Sequence, residues 1–433
     1  MSERARAIPL ATLVVVVAAL VALRVHERLP ALGEASSPVT FHGAPDAQAP
    51  SIARARPPPM VLEPSASGAD AAVDAGGAAW HLIHEDPRHT HREAAVGPVR
   101  PKLGWTTRIG EDAGAVAAIE AQVVPSPDER TLYVAALDGS LTALDAETGA
   151  KEWTLALGDR AYSTPCVAPS GMIYVGSDAK RFFAVTPKGT VAWKLETNGE
   201  ADTGAAPAGD LVVFAAGPSL FAVRAGGEVA WRFDAKKKIF TAPAVDPKGT
   251  IVLGSQDHHV YALSPAGSML WSTDLGADVD GSPIIGDDDA ITVGTDAGEI
   301  VRISPSGGVL WRAQVGGYVR GALSLAWNGD TLAGVYGPTP RVVRVGSDGI
   351  VTASFSVQGT GAREQGVHGG PLEDKVGALF FGAQDDAVHA IGPDGAWQWT
   401  FAARGDVDAP LTLLSSGALV AASDDGNVYL FQP

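Results

Sequence analysis

A single cysteine, Cys166, is present in 433 residues. One thiol excludes an internal disulfide, a cysteine-based zinc site and an iron–sulfur cluster. Basic charge is also short: 32 Lys and Arg face 49 Asp and Glu, a formal net charge of −17. Nucleic acid and anionic lipid surfaces demand a basic face, so neither is expected as a partner. Asparagine occurs only at Asn198, Asn328 and Asn427, and beyond Leu23 no long apolar run recurs. Glycine and proline are plentiful instead, 51 and 30, a balance that favours strands and turns over long helices.

The one long apolar run, from Ile8 to Leu23, follows Arg4 and Arg6 and ends at Arg24, Glu27 and Arg28. As a helix it spans about 24 Å, short of the roughly 30 Å of membrane hydrocarbon but long for a cleaved signal core. Residues 1–28 are therefore expected to be an uncleaved signal-anchor. The alternative is a signal peptide cut near the Gly-Glu-Ala at Gly33 to Ala35. No cysteine lies nearby, which excludes lipidation of the bacterial type. The remainder is expected on the extracytoplasmic, periplasmic side, anchored to the inner membrane or secreted if the signal is cut. Residues 29–79, rich in Ala, Pro, Gly and Ser, read as a disordered linker. Residues 80–433 form the body.

The body repeats itself. The stretch ALDAETGAKEW, from Ala143 to Trp153, is the clearest copy of a unit in which alternating apolar residues break at a Gly turn before a tryptophan. Trp105, Trp153, Trp193, Trp231, Trp271 and Trp311 follow one another at intervals of 48, 40, 38, 40 and 40 residues. Trp399 continues the series after a degenerate copy in which Ala353 holds the slot. Each unit contains short period-2 runs separated by Asp-Gly or Pro-x-Gly turns, four strands in about 40 residues, which is one propeller blade. The last copy ends after a third strand near Asn427 to Phe431, and the strand around Trp105 supplies its fourth, closing the ring. The expected fold is all-β, an eight-bladed propeller. Residues 321–359 decide between eight blades and seven or nine.

Ala143, Asp145, Thr148, Gly149 and Trp153 spell A-x-D-x-x-T-G-x-x-x-W, and the lead-in carries Trp80, Asp86, Pro87, His89, Thr90, Gly97 and Pro98. Both motifs resemble those of the PQQ-repeat, quinoprotein-like β-propeller family, with a BamB-like architecture, over Trp80 to Pro433. The resemblance implies that the tryptophans pack between adjacent blades as structural docking groups. Enzymes of the family place a calcium ion, a Glu, an Asn, an Asp base and usually a vicinal disulfide around the quinone. With one cysteine, three asparagines and minimal blades, PQQ with Ca²⁺ is not expected here. The resemblance points to a monomeric scaffold for protein partners in the cell envelope. A PQQ- or metal-dependent oxidoreductase, or a ligand sensor, is the alternative. The chain departs from BamB itself in lacking an N-terminal lipidated cysteine.

In a propeller the loops before the innermost strands rim one mouth of the central channel, a natural binding place. The residues expected there are Asp202, Phe240, Asp280, Tyr318, Arg320, His368 and Asp408. Arg160, Tyr162, Glu200, Lys238, Asp278, Glu364 and Asp406 share these loops, and Asp178, Asp257, Asp296 and Asp424 reach the same face. His81, His84, His89 and His91 beside Glu85 and Asp86 are a weak zinc or copper candidate. Their spacing fits no familiar site, and a surface or strap-packing role is expected instead. Asp287, Asp288 and Asp289, a weak calcium candidate, and Lys236 to Lys238 read as solvated loops.

Overall fold

A computed structural model describes residues 41–42, 80–110, 117–361 and 365–433. The expected N-terminal helix, and the linker apart from residues 41–42, lie outside the described residues. What is described is strand and turn without helix. Eight antiparallel sheets follow one another, seven of four strands and one extended to five by residues 41–42, which pair with Thr400 and Phe401. The all-β, eight-bladed propeller expected from the repeat is what forms. Residues 321–359 make a complete sixth blade from Leu323–Leu325, Thr331–Val335, Arg341–Val345 and Val351–Ser356, which settles the count at eight.

Burial explains the two hydrophobic patterns. The second strand of the third blade, Leu211–Ala216, is buried at all six positions, because neighbouring blades cover both of its faces. Outermost strands such as Lys151–Ala156 alternate between half-buried and exposed, with Trp153 at a half-buried position. Closure is as expected. Lys102–Arg108 pairs with Asn427–Gln432, Trp105 opposite Leu430, so the N-terminal strand completes the eighth blade. Asn427–Gln432 is thereby paired on both sides and not left as an edge.

Each outermost strand has a bulge immediately before its tryptophan slot. The bulge turns the indole off its own sheet and onto the next blade. There it lies over the glycine of the turn leading into that blade's outermost strand. A Cβ on Gly149, Gly189, Gly227, Gly267, Gly307 or Gly349 would come within 2.5–3.0 Å of the indole. Each indole Nε1 donates to a carbonyl of the same turn, Trp153 to Pro187 at 3.0 Å, Trp231 to Pro265 at 3.0 Å and Trp271 to Pro305 at 2.9 Å. Trp105, Trp193 and Trp311 do the same with Ala146, Ala225 and Ser347 at 2.7–3.1 Å. Trp399 donates to Pro98 at 2.8 Å, because the eighth blade's outer strand comes from the N-terminus and has no such turn. In the motif's clearest copy Asp145 accepts from Thr148 N and Oγ1 at 2.8 and 2.6 Å, which shapes the turn that puts Gly149 at φ +72°.

Two glycines isolate this contact. Gly189→Ala incurs the left-handed penalty of about 1–2 kcal/mol and also displaces Trp153, whose Cδ2 stands 2.6 Å from the added Cβ. Gly209 has φ +66° with nothing within 4 Å, so Gly209→Ala incurs the penalty alone. Urea unfolding is expected to show the larger loss for Gly189→Ala; equal losses would remove the indole seat as a stabilising contact.

Candidate functional site

One end of the channel is crossed by the strap that starts at Trp80. Asp86 folds the strap by accepting from Arg88 N at 2.7 Å and from the Thr90 hydroxyl. The strap then pairs with successive inner strands. His81 bridges Val167, Pro87 accepts from Val245, Arg88 from Ile285 and Thr90 from Leu325, and Glu93 donates to Glu373, at 2.6–3.0 Å. Its Ile83 contributes to the lining of the channel cavity.

Of the two roles expected for the strap histidines, His84, His89 and His91 take strap packing and not a surface position. His84, His89 and His91 are 0–1% exposed, and His84 stacks on His91 at 4.3 Å. His89 Nδ1 and His91 Nε2 each meet a backbone carbonyl at 3.0 Å, of Pro283 and Leu411. Neither ring nitrogen of His84 has a hydrogen-bond partner. Burial holds His84 well below the usual imidazole range and His89 and His91 down at about 4, so all three are neutral at pH 7. His81 remains half-buried beside Glu85 at 3.6 Å. The four do not bring ligand atoms together as a metal set. Among the described residues, the group of three that does so, within 4.8 Å, is Asp406, Asp408 and Asp424.

The other end opens as a cavity of about 650 Å³. Asp202, Phe240, Asp280, Arg320, His368 and Asp408 all line it. Tyr318 stands just outside, its ring under the Arg320 guanidinium at 4.2 Å. Three cations come from the lead-in loops of alternate blades, and each is matched to an aromatic ring and a carboxylate. Arg160 lies over Tyr162 and pairs with Asp178 at 3.0 Å. Lys238 lies over Phe240 at 4.2 Å and pairs with Glu200 and Asp202 at 2.8 and 2.9 Å. Arg320 forks onto Asp296 at 2.8–3.1 Å. Lys238 is thus part of the mouth and not of a solvated loop. Glu364 lies outside the described residues.

The alternation fails on the side of the seventh, eighth and first blades. Asp406, Asp408 and Asp424 gather there with Glu120 nearby, and the three aspartates make no ion pair among the described residues. Burial and mutual repulsion push Asp406 up to about 7 and Asp424 up to about 8. Asp280, mainly by burial, is pushed up to about 6. One carboxylate oxygen of each of Asp178, Asp202, Asp280, Asp408 and Asp424 is buried without any donor. Such atoms are costly unless a cation or proton meets them.

Several expectations go elsewhere. Asp257 is a local brace, accepting from the Tyr261 hydroxyl at 2.7 Å and Lys236 N at 2.9 Å. Asp287 and Asp288 are exposed and Asp289 half-buried, so the turn is solvated as expected, and its carboxylates are also paired. They pair with Arg88 and Arg92, with Arg302, and with Lys248 respectively. Of the groups that a quinone and its calcium require by family resemblance, Asn198 bonds Ser219 and Asn328 bonds Asp330, and neither lines the cavity. Asn427 sits in the closing sheet opposite Arg108, and Cys166 is buried in an inner strand. That ligand set is not assembled at the cavity.

The family model described as outer membrane protein assembly factor BamB matches residues 71–223, 183–266 and 256–364, well over half of the chain. The chain belongs to this PQQ-repeat propeller family. BamB of Escherichia coli K12 is 27% identical over 111 residues, 23% of this chain and 28% of that protein. BamB of Salmonella typhimurium LT2 matches with the same figures, so the alignment spans well under a third of these curated relatives. The crystal structure of BamB from Moraxella catarrhalis superposes with a TM-score of 0.63 at 16% identity, covering 77% of this chain and 100% of that one. A europium-containing methanol dehydrogenase superposes with 0.66 at 10% identity, covering 82% and 98%. At such identities the likeness is one of fold, and the BamB fold serves proteins of very different names.

Two acid–base predictions follow from the burial. The unfolded chain takes up protons at His84 below about pH 6.5 that the folded state refuses, so this part of the stability is lost as pH falls. His84→Leu removes the buried imidazole and is expected to lose stability less steeply than wild type between pH 6.5 and 4.5, by up to about 1.4 kcal/mol per pH unit. Parallel slopes in urea titrations would mean that the imidazole charges inside the fold. Asp424 works in the opposite sense: its proton is held in the folded state and stability falls as pH rises through about 8. Asp424→Asn is expected to gain on wild type at pH 9 relative to pH 6 in thermal melts, and an equal difference at both pH values would refute the shift.

Proposed function

We propose that the chain is a protein-binding scaffold of the cell envelope whose channel mouth receives cationic side chains of its partner. The observation that carries this reading is the set of buried carboxylate oxygens without donors around the mouth, two of them on Asp408 and Asp424, which with Asp406 have no neutralising cation among the described residues. A lysine or arginine of a partner inserted there would relieve repulsion already present in the free protein. Membership of a family described as an assembly factor supports a binding role over a catalytic one. The reading places the propeller on the extracytoplasmic side, with the apolar stretch Ile8 to Leu23 as its export and tethering signal. It needs no quinone, since the donors that a quinone site implies are dispersed over the fold.

The test is charge-dependent capture from envelope extracts by the full-length chain. Cross-linking followed by mass spectrometry is expected to join the mouth loops to a Lys- or Arg-containing segment of one defined partner. The triple variant Asp406→Asn, Asp408→Asn, Asp424→Asn, checked for an unchanged fold by circular dichroism, is expected to retain less than a tenth of it. Undiminished capture, or purified protein carrying stoichiometric quinone with dye-linked dehydrogenase activity, would overturn the proposal.

A further inference from the structure

Seven of the eight slots lead onto the turn of the next blade, and at six of them an indole fills the seat. At the boundary between the sixth and seventh blades the same framework stands without the indole. Arg344 pairs with Ala353 just as Ala143 pairs with Trp153, Ala262 with Trp271 and Arg302 with Trp311. The bulge that turns the slot residue outward is retained. So is the receiving turn. Gly395 N donates to Gly392 O at 2.8 Å, and Gly395 holds φ +79°. A Cβ there would meet nothing closer than Phe355 at 3.8 Å, where the six filled turns show indole within 2.5–3.0 Å. The Pro393 carbonyl corresponds to the acceptors Pro187, Pro265 and Pro305 but receives no indole N–H among the described residues.

What remains is a cavity of about 480 Å³ lined by Trp327, Ala353, Phe355, Pro393 and Gly395, within the size range of ligand pockets. Trp327, 47% exposed, stands at its rim. Arg344 and Glu373 in the wall are paired with each other, and Lys375 and Asp394 balance in sign, so the cavity favours a neutral occupant. Residues 1–79 contain no tryptophan, so that segment offers no indole for the slot.

We propose that this slot is a binding site for a tryptophan side chain presented by a partner protein, which would complete a row of identical indole–turn contacts. A cavity of mixed lining with aromatic and proline surface, held open by a rigid frame, can receive an aromatic group of matching shape, and here the frame also offers the acceptor for the indole N–H. The site lies on the outer part of the propeller and does not depend on what the channel mouth binds.

Fluorine NMR on the full-length protein tests it, with 5-fluoroindole and with a capped Gly-Trp-Gly peptide carrying 5-fluorotryptophan. Saturable binding of the peptide is expected, at least tenfold weaker in Ala353→Trp, which fills the slot from within. Ala353→Trp is itself expected to raise the thermal midpoint. Gly395→Ala, which alters the seat without touching Ala353, is expected to weaken the peptide without filling the slot. Binding that survives both substitutions would place the ligand elsewhere. Binding of 5-fluoroindole without the peptide would overturn a protein partner as its source. Failure of both probes to bind, or a lowered midpoint in Ala353→Trp, would overturn the preformed seat.

Discussion

The ring stands or falls on the contact between an indole and the turn of the neighbouring blade. A four-stranded sheet with two apolar faces cannot be dry by itself, and blades arranged radially converge at the channel and splay apart at the rim. Closing the outer gap requires a large, flat, apolar body at a fixed radius, and its orientation has to be set at every boundary. Tryptophan supplies the area, and its N–H, spent on one carbonyl, sets the angle. The bulge before each slot and the left-handed glycine beneath each ring are the backbone consequences of that one contact. Inner-strand positions, and with them the cavity at the mouth, inherit their spacing from it.

That contact is also why the fold was legible. Seven indoles at near-constant spacing report the blade repeat directly, and the last copy breaks off one strand short, which announces the closing strand around Trp105. Burial across the ring was not legible. HLIHEDPRHTHRE reads equally as a surface segment or a packed strap, and His84, His89 and His91 are sealed because the strap crosses the end where the inner strands converge. The partners of Asp287 on the strap lie up to 199 residues away, a distance that no local pattern bridges. Glu120 was missed at the mouth although a signal existed. Residues 120, 160, 200, 240, 280 and 320 are evenly spaced, and counting back from Arg160 in steps of 40 lands on it. Gln256, which lines the cavity and donates to Asp280 at 3.3 Å, by contrast carries no mark in the sequence that separates it from an ordinary strand-end residue.

At the mouth, the even blades from the second to the sixth bring a cation stacked on an aromatic ring; carboxylates of the third and fifth blades neutralise Lys238 and Arg320, and Asp178 of the second blade itself neutralises Arg160. From the seventh blade round to the first the order lapses into His368, Asp406, Asp408 and Glu120. In a soft loop such carboxylates would drift apart into water. Here they are mounted directly before inner strands fixed by the ring and the strap, so the repulsion is relieved by protonation, which is what the raised Asp406 and Asp424 record. A site that holds protons near neutrality is already organised for a cation, because the cost of gathering the charges was met on folding.

The vacant slot obeys the same logic with apolar groups. Loss of a tryptophan by drift ordinarily lets the surroundings relax toward the hole, and how far they relax determines what remains. Between the sixth and seventh blades the bulge, the Gly392–Gly395 turn and its proline carbonyl all keep the form they take where an indole is present. Collapse would require the sixth blade to tilt, and its two boundaries prevent that: Trp311 pins it to the fifth blade, while its inner strand is tied to the strap through Leu325. The rigidity that makes the propeller insensitive to one missing contact is therefore also what preserves the shape of that contact at its surface.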